Sequence, residues 1–238
     1  MVNEIQHTRS SEIAQESERI RKVYSDRKET RKGPLDLYGL CTLQERLELL
    51  VRFFRQAGLI SLTQKKILDV GCGSGGALRR FVDFGAEPEN CFGIDARSES
   101  LVLARQFNPG ITFLEANAAR LPFGDREFDF VMQSTVFTSI LDDNIKREVA
   151  SEITRTLRPG GHLIWYDFVY SNPRNPQVRG VGRKEIESLF PGYRYHFQRL
   201  TLAPPIGRVV VRFSPALYRS LALFPMLRTH CLCFAQKL

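Results

Sequence analysis

Apolar side chains along this chain keep two different rhythms. In the first 60 residues they recur every third or fourth position among charged ones, the spacing of a helix face. From Lys65 onward short apolar runs alternate with such stripes, as strands and helices do when they take turns. EIAQESERIRKVYSDRK (12–28) reads as a helix whose preceding dozen residues fray, and Gly33-Pro34 breaks it. A second helix is predicted to start at Thr42, with Glu45 three residues on completing a capping box. It should bury Leu47, Leu50, Val51 and Phe54 and stop at Gly58. KKILDV, CFGID, ITFLEAN, FDFVMQS and HLIWYDF follow as strands one to five. GGALRRFVDF, SESLVLARQF and DDNIKREVASEITRTL are the helices among them, and Pro159-Gly160-Gly161 is a turn. RYHFQRLTL and THCLCFAQK are predicted as strands six and seven, around an arginine-bearing helical stretch at 217–224. Near-continuous apolar strands in alternation with helices imply an α/β fold: a doubly wound, seven-stranded, mostly parallel sheet with helices on both faces and an antiparallel last strand. The expected division is a helical lid or extension over residues 1–60 and the sheet domain over 61–238.

The turn after the first strand carries the first chemistry. In ILDVGCGSGG (67–76) Gly71, Gly73 and Gly76 satisfy G-x-G-x-x-G, the spacing of a dinucleotide-binding turn, yet Asp69 sits two residues before the first of them. Such a turn meets a helix N-terminus, whose free N–H groups attract anions. A pyrophosphate placed there would be repelled by Asp69. A ligand with both a cation and a carboxylate matches better, and S-adenosylmethionine is one. Its ammonium and sulfonium can lie near Asp69, its carboxylate on the turn N–H groups, with Gly71 and Gly73 giving clearance. ILDVGCGSG resembles the first motif of class I S-adenosylmethionine-dependent methyltransferases. The resemblance continues in register through GIDARS, ANAARLPF, FDFVMQS and LRPGGHLIWYD, covering about 67–168. It is closest in flavour to the small-molecule ubiquinone/menaquinone-methyltransferase type, and no N-P-P-Y or D-P-P-Y follows strand four. It implies a Rossmann-like fold, S-adenosylmethionine as cofactor and methyl transfer as the activity.

On that resemblance Asp95, 20 positions past Gly75, is the acid on the ribose hydroxyls, with Ala96 beside it; taken alone, Asp95 also suits an N-cap for a helix beginning near Ser98. Asn117 stands where the family has an aspartate beside the adenine, followed by Ala118, and its amide oxygen can still accept from the adenine amino group. Cys72 is a small filler at the turn. Gln133, ending strand four, is placed near the methionine part of the cofactor or caps the next helix. Tyr166 and Asp167 end strand five at the ligand-bearing edge. They are the candidate catalytic residues: Asp167 would accept a proton from the substrate or orient it, the alternative being a turn cap, and Tyr166 would contact substrate or pack. Tyr38, Phe137 and Arg174 are candidate substrate contacts. Tyr24, Arg27 and Tyr38 belong to the N-terminal segment that closes over the cofactor in related methyltransferases, although Arg27 suits a solvated helix face better. His7, His162 and His196 are not placed for catalysis, and no metal-ligand spacing is present.

Composition adds less. Hydrophobic content of 43% and charged content of 25% are those of a soluble globular chain. No N-terminal stretch resembles a signal peptide, and SLALFPML (220–227) is too short to span a bilayer, leaving peripheral membrane contact open. Five cysteines without metal spacing suggest free thiols in a reducing cytoplasm. The net charge of +8 does change the picture, because residues 158–238 hold 12 Lys+Arg against 3 Asp+Glu while 61–157 hold 11 against 14. A basic third near the pocket mouth suits a small anionic acceptor, sugar- or lipid-linked, or is a solvated surface. The polar loop YSNPRNPQVRGVGRK, with Arg174, Arg179 and Arg183, reads as a substrate lid. O-methylation is favoured over N-methylation, since a hydroxyl gains most from an aspartate at the strand-five edge. The rivals are an RNA methyltransferase, a methyltransferase-fold protein that binds without catalysis, and a nicotinamide-dependent oxidoreductase, which Asp69 opposes. DNA is not an expected partner.

Overall fold

In a computed structural model, which describes residues 2–26 and 36–238, seven strands form one sheet. They are β1 (Ile67–Val70), β2 (Cys91–Asp95), β3 (Thr112–Glu115), β4 (Phe128–Ser134), β5 (Leu157–Phe168), β6 (Tyr193–Leu202) and β7 (Arg228–Lys237), in the order β3-β2-β1-β4-β5-β7-β6. The first five pair in parallel, and β7 runs antiparallel between β5 and β6. The helices among the described residues are α1 (Val2–Asp26), α2 (Leu37–Gln56), α3 (Gly76–Asp83), α4 (Ser98–Phe107), α5 (Asp143–Thr156), α6 (Arg183–Leu189), α7 (Pro204–Val210) and α8 (Pro215–Leu221). The Rossmann-like, doubly wound expectation holds.

Successive strand side chains point to opposite faces, so each strand serves two cores. Ile67 of β1 packs with Phe54 of α2, Phe81 of α3 and Leu101 of α4 on one face. Leu68, next in sequence, packs with Val149 and Ile153 of α5 and Ile186 of α6 on the other. Ile145, Val149 and Ile153 of α5, spaced four apart, are all buried. A third, smaller core lies at the C-terminal edge of β6, where Tyr38, Leu202, Val211 and Tyr218 join α2 to α7 and α8. Tyr38 Oη donates to Leu202 O at 2.9 Å. Gly207 lets α7 lie on that ring, since a Cβ there would come 2.4 Å from Tyr38 Cε2.

Several boundaries differ from the sequence reading. The second helix starts five residues before Thr42, because Asp36 caps it by accepting from Tyr38 N at 3.2 Å. Thr42 Oγ1 then bonds back to Gly39 O, and Glu45, instead of closing a capping box, crosses to accept from Thr201 N at 2.9 Å. Phe53 is buried where Val51 was expected. The helix does end before Gly58, whose φ is +71°. α1 is helical from Val2, and Arg27 and the Gly33-Pro34 break lie outside the described residues. Pro159-Gly160-Gly161 lies inside β5 as an irregularity, where the register with β4 shifts between Phe128 and Phe130. Short helices α6 and α7 were not expected.

A candidate active site at the strand ends

Because β1 to β4 are parallel, their C-terminal ends open on one side, and a cavity of about 560 Å³ lies there. Its floor is the strand-end residues Asp69, Gly71, Asp95, Asn117 and Thr135, and α1 and α2 cover it with Ser17, Ile20, Tyr24, Leu43 and Arg46. The volume is that of an ordinary cofactor or ligand pocket.

The turn after β1 is shaped by three left-handed glycines, Gly71 (φ +73°), Gly73 (φ +53°) and Gly75 (φ +77°). A Cβ on Gly71 would lie 2.4 Å from Val136 Cγ2, and one on Gly75 would lie 2.7 Å from Phe113 Cζ, whereas Gly76 faces open space. The third glycine that the backbone needs is therefore Gly75, not the Gly76 of the motif. Gly71 N and Cys72 N both donate to Ile94 O at 2.8 Å, Gly73 N donates to Asp95 Oδ2 at 2.9 Å and Gly75 N to Cys72 O at 2.9 Å. Most of the turn N–H groups expected to receive a carboxylate are thus already engaged.

Asp69 is buried at the cavity floor, and its Oδ1 has no hydrogen-bond partner. Burial pushes its pKa up to about 8; the neighbouring Asp95 charge adds to this and Arg46 opposes it. A buried carboxylate oxygen left without a donor is costly unless a cation or donor meets it. Asp95 does not cap α4: besides Gly73 N it accepts from Arg97 N at 2.9 Å and Arg97 Nε at 3.2 Å. Asn117 Oδ1 accepts from Ala119 N and its Nδ2 donates to Ser17 Oγ, both at 2.8 Å, so the amide ties the end of β3 to α1. Ala96, Ala118 and Cys72 also line the cavity, Ala96 accepting from Arg21 Nε at 2.8 Å through its carbonyl.

α1 is held down over its second half. Tyr24 Oη lies 3.1 Å from Ser139 Oγ, and the Arg97 guanidinium sits 4.6 Å from the centre of the Tyr24 ring. Ser139 and Thr135 were not singled out by sequence. Thr135 has φ +60°, rare for a β-branched residue, and such strain concentrates at functional sites. No sequence signal announces it. Arg46, also missed, faces the cavity and lies 4.7 Å over the Tyr166 ring.

The other candidates sit elsewhere. Gln133 is fully buried below the cavity, where its Oε1 accepts from Val136 N at 3.1 Å, so it braces the turn after β4. Tyr166 points to the α2 face, bonded to Thr201 Oγ1 at 3.0 Å and stacked on His230. Asp167 points to the opposite face, fully buried, accepting from Thr138 Oγ1 at 2.7 Å, Thr138 N at 3.3 Å and Phe168 N at 3.0 Å. Neither lines the large cavity. Phe137 is sealed against Trp165 and Phe190, and Tyr38 belongs to the α7–α8 core. Arg174 is exposed on the loop after β5. That loop is pinned, not a free lid: Arg179 N donates to Thr138 O, Val181 is fully buried, Arg179 pairs with Asp143 and Glu185, and Arg183 pairs with Glu187 as it opens α6. His162 stacks between Phe130 and Phe234, burial lowering its pKa to about 4, as befits a structural histidine.

An unpartnered buried carboxylate oxygen beside a glycine turn fits a ligand with a cationic centre, as S-adenosylmethionine has. Residues 67–161 match the family described as Methyltransferase domain. The phthiotriol/phenolphthiotriol dimycocerosates methyltransferase of Mycobacterium leprae (strain TN) is 33% identical over 146 residues, 57% of this chain and 53% of that protein. The fatty-acid O-methyltransferase of Mycolicibacterium smegmatis is 32% identical over 105 residues, 43% of this chain and 37% of its own length. The chain spans about half the length of the first of these relatives. A crystal structure of an S-adenosylmethionine dependent methyltransferase from Mesorhizobium loti superposes with a TM-score of 0.59 at 18% identity, covering 78% of this chain and 96% of that one. The cavity thus forms on the segment that matches the methyltransferase domain family, within a fold shared with that S-adenosylmethionine dependent methyltransferase.

Proposed function

We propose that this protein transfers the methyl group of S-adenosylmethionine to an oxygen of a small acceptor with an apolar body, a carboxylate on a hydrocarbon chain being the acceptor that fits best. The observation that carries the cofactor half of this reading is the unpartnered Oδ1 of Asp69 in the 560 Å³ cavity. Asp69 would face the cationic part of the cofactor, Gly71 and Gly73 would give it room, Asp95 would take the ribose hydroxyls, and Asn117 and Ala118 would flank the adenine. Arg46 would take the carboxylate, since the turn N–H groups are largely engaged. Bound there, S-adenosylmethionine supplies a methyl group already activated on a cationic sulfur. The protein's own work is then to hold donor and acceptor in line and keep water out, which α1 does through Tyr24, Ser17 and Arg21.

The acceptor reading rests on the wall chemistry. Ile20, Leu43, Val136, Ile140 and Val149 give the cavity an apolar side. Glu16 is also at its wall; burial, the largest single influence, raises it, but hydrogen bonds from Arg19 and Leu141 N with the Arg19 charge together hold it below the ordinary value, which makes it a weak base. Asp167 is sealed away. A carboxylic acid ionises near pH 4 and needs no base at neutral pH, unlike an alcohol. The fatty-acid relative supports the same choice. The test is to incubate the protein with S-adenosylmethionine and a panel of fatty carboxylates, long-chain alcohols, sugar phosphates and RNA, and to look for methylated product by mass spectrometry. Methyl esters of the carboxylates are expected. Cofactor turnover on sugar phosphates or RNA alone would sink the acceptor reading, and failure to bind the cofactor in calorimetry would sink the whole.

A further inference from the structure

The segment between β6 and β7 is unlike the rest of the surface. It leaves the sheet at Leu202, at the edge where the cavity opens, because β6 is parallel to β5. Val209, Phe213, Leu217, Leu223, Phe224 and Met226 all project from it into solvent, Phe213 being 80% and Met226 89% exposed. Its inward side is spent: Gly207 rests on Tyr38, and Val211, Tyr218 and Ala222 fill the small core. The outward side is therefore apolar by composition and has no packing partner among the described residues. Monomeric soluble proteins rarely leave so many large apolar side chains together on one short segment. Beside them stand the exposed Arg208, Arg212 and Arg219, and no Asp or Glu occurs anywhere after Glu187. Among the described residues no helix is long and apolar enough to cross a membrane.

We propose that the α7–α8 segment docks this protein onto the surface of an anionic lipid membrane. Aromatic and aliphatic side chains beside arginines, with no acidic residue among them, match the interfacial zone of a bilayer, where apolar groups enter the acyl boundary and cations meet lipid phosphates. Within the segment every charge is positive, Glu45 and Glu48 lying beside it on α2, and that charge favours an anionic lipid surface over a protein partner of mixed charge. The location is apt, since the segment packs on Tyr38 of α2, and on the same helix Leu40 is exposed and Leu43, one turn on, lines the cavity. An amphiphile could pass from bilayer to cavity along that helix face. The docking surface goes beyond the acceptor reading and does not require it, because it is measured without methyl transfer.

The experiment is sedimentation of the full chain with vesicles of phosphatidylcholine, with and without phosphatidylglycerol. Binding to the anionic vesicles is expected, weakening as salt rises, with little binding to phosphatidylcholine alone. Phe213→Ser with Met226→Ser should lower the partition coefficient at least about tenfold, and Arg208→Gln with Arg212→Gln about as much on anionic vesicles. Melting temperature and cofactor affinity should not change, since none of these side chains is buried or lines the cavity. Absence of binding to anionic vesicles would overturn the proposal, as would binding unmoved by either pair of substitutions. A dimer that Phe213→Ser with Met226→Ser converts to monomer would overturn it too, showing that a second copy covers the patch.

Discussion

Asp69 and Asp167 invite comparison. Each lies at or near the C-terminal end of a parallel strand, each is buried, and burial raises each, to about 8 and about 7. Asp167 accepts three hydrogen bonds from Thr138 and Phe168, while Asp69 Oδ1 accepts none. Strand topology brings both acids to the ligand-bearing edge, but only hydrogen-bond satisfaction separates a waiting carboxylate from a structural one. The same contrast runs through the two halves of the sheet. Asp69 and Asp95, at the ends of β1 and β2, face a cavity; at the end of β5 Tyr166 and Asp167 turn away from it.

Gly71→Ala should break the first half outright. A Cβ 2.4 Å from Val136 at φ +73° combines a clash with left-handed strain, a destabilisation of roughly 2–5 kcal/mol, read in thermal melts, with cofactor binding lost in calorimetry. Asp69→Asn comes next. Cofactor affinity should fall by roughly 1.5–3 kcal/mol, because a charge-assisted contact is removed. Wild-type binding near pH 7 should release protons, seen as a dependence of the calorimetric heat on buffer ionisation, and the mutant should release none. If the mutant binds as well as the wild type, Asp69 is no different from Asp167.

Asp167→Ala tests the other side of the comparison. It should cost about 1–3 kcal/mol of stability by leaving the Thr138 donors unpaired, with cofactor affinity unchanged. Turnover lost at full stability would instead restore Asp167 as the proton acceptor. The two acids also shape the pH profile without ligand. Both hold a proton more tightly folded than unfolded, where 3.8 is the ordinary value. Their contribution is fully present below about pH 4 and is lost as pH rises through about 7 and about 8. Asp69→Asn should abolish the upper step and Asp167→Asn the lower. The smallest effect belongs to the loop after β5, where Arg174→Gln should change stability and cofactor affinity by less than about 0.5 kcal/mol.

Sequence disclosed the sheet and the glycine turn after β1 because both are written in consecutive residues. A four-residue run such as ILDV buried on both faces can hardly be anything but an inner strand, and Asp69, Gly71 and Asp95, singled out by their spacing, meet at one cavity. The acceptor side is assembled from contacts between distant segments. Tyr166 and Asp167 are neighbours that alternation sends to opposite faces, and Phe137 looks like a substrate contact until Trp165 and Phe190 close over it. Thr42 and Glu45 spell a capping box, but Asp36 offered an earlier cap and Glu45 found Thr201, 156 positions away. Nothing in the chain foretells that β7 inserts beside β5 or that Thr135 takes φ +60°.

The five cysteines, all free and all buried, have a practical consequence. Burial raises every one of these thiols, so little reactive thiolate exists while the chain stays closed. Alkylation is then paced by opening and not by intrinsic reactivity, and the sulfurs are spread over distinct parts of the molecule. Cys41 sits on α2, Cys72 in the turn after β1, Cys91 at the start of β2, and Cys231 and Cys233 along β7. The unmodified protein thus carries its own set of clocks, in which the labelling rate at each sulfur times how often that layer breathes.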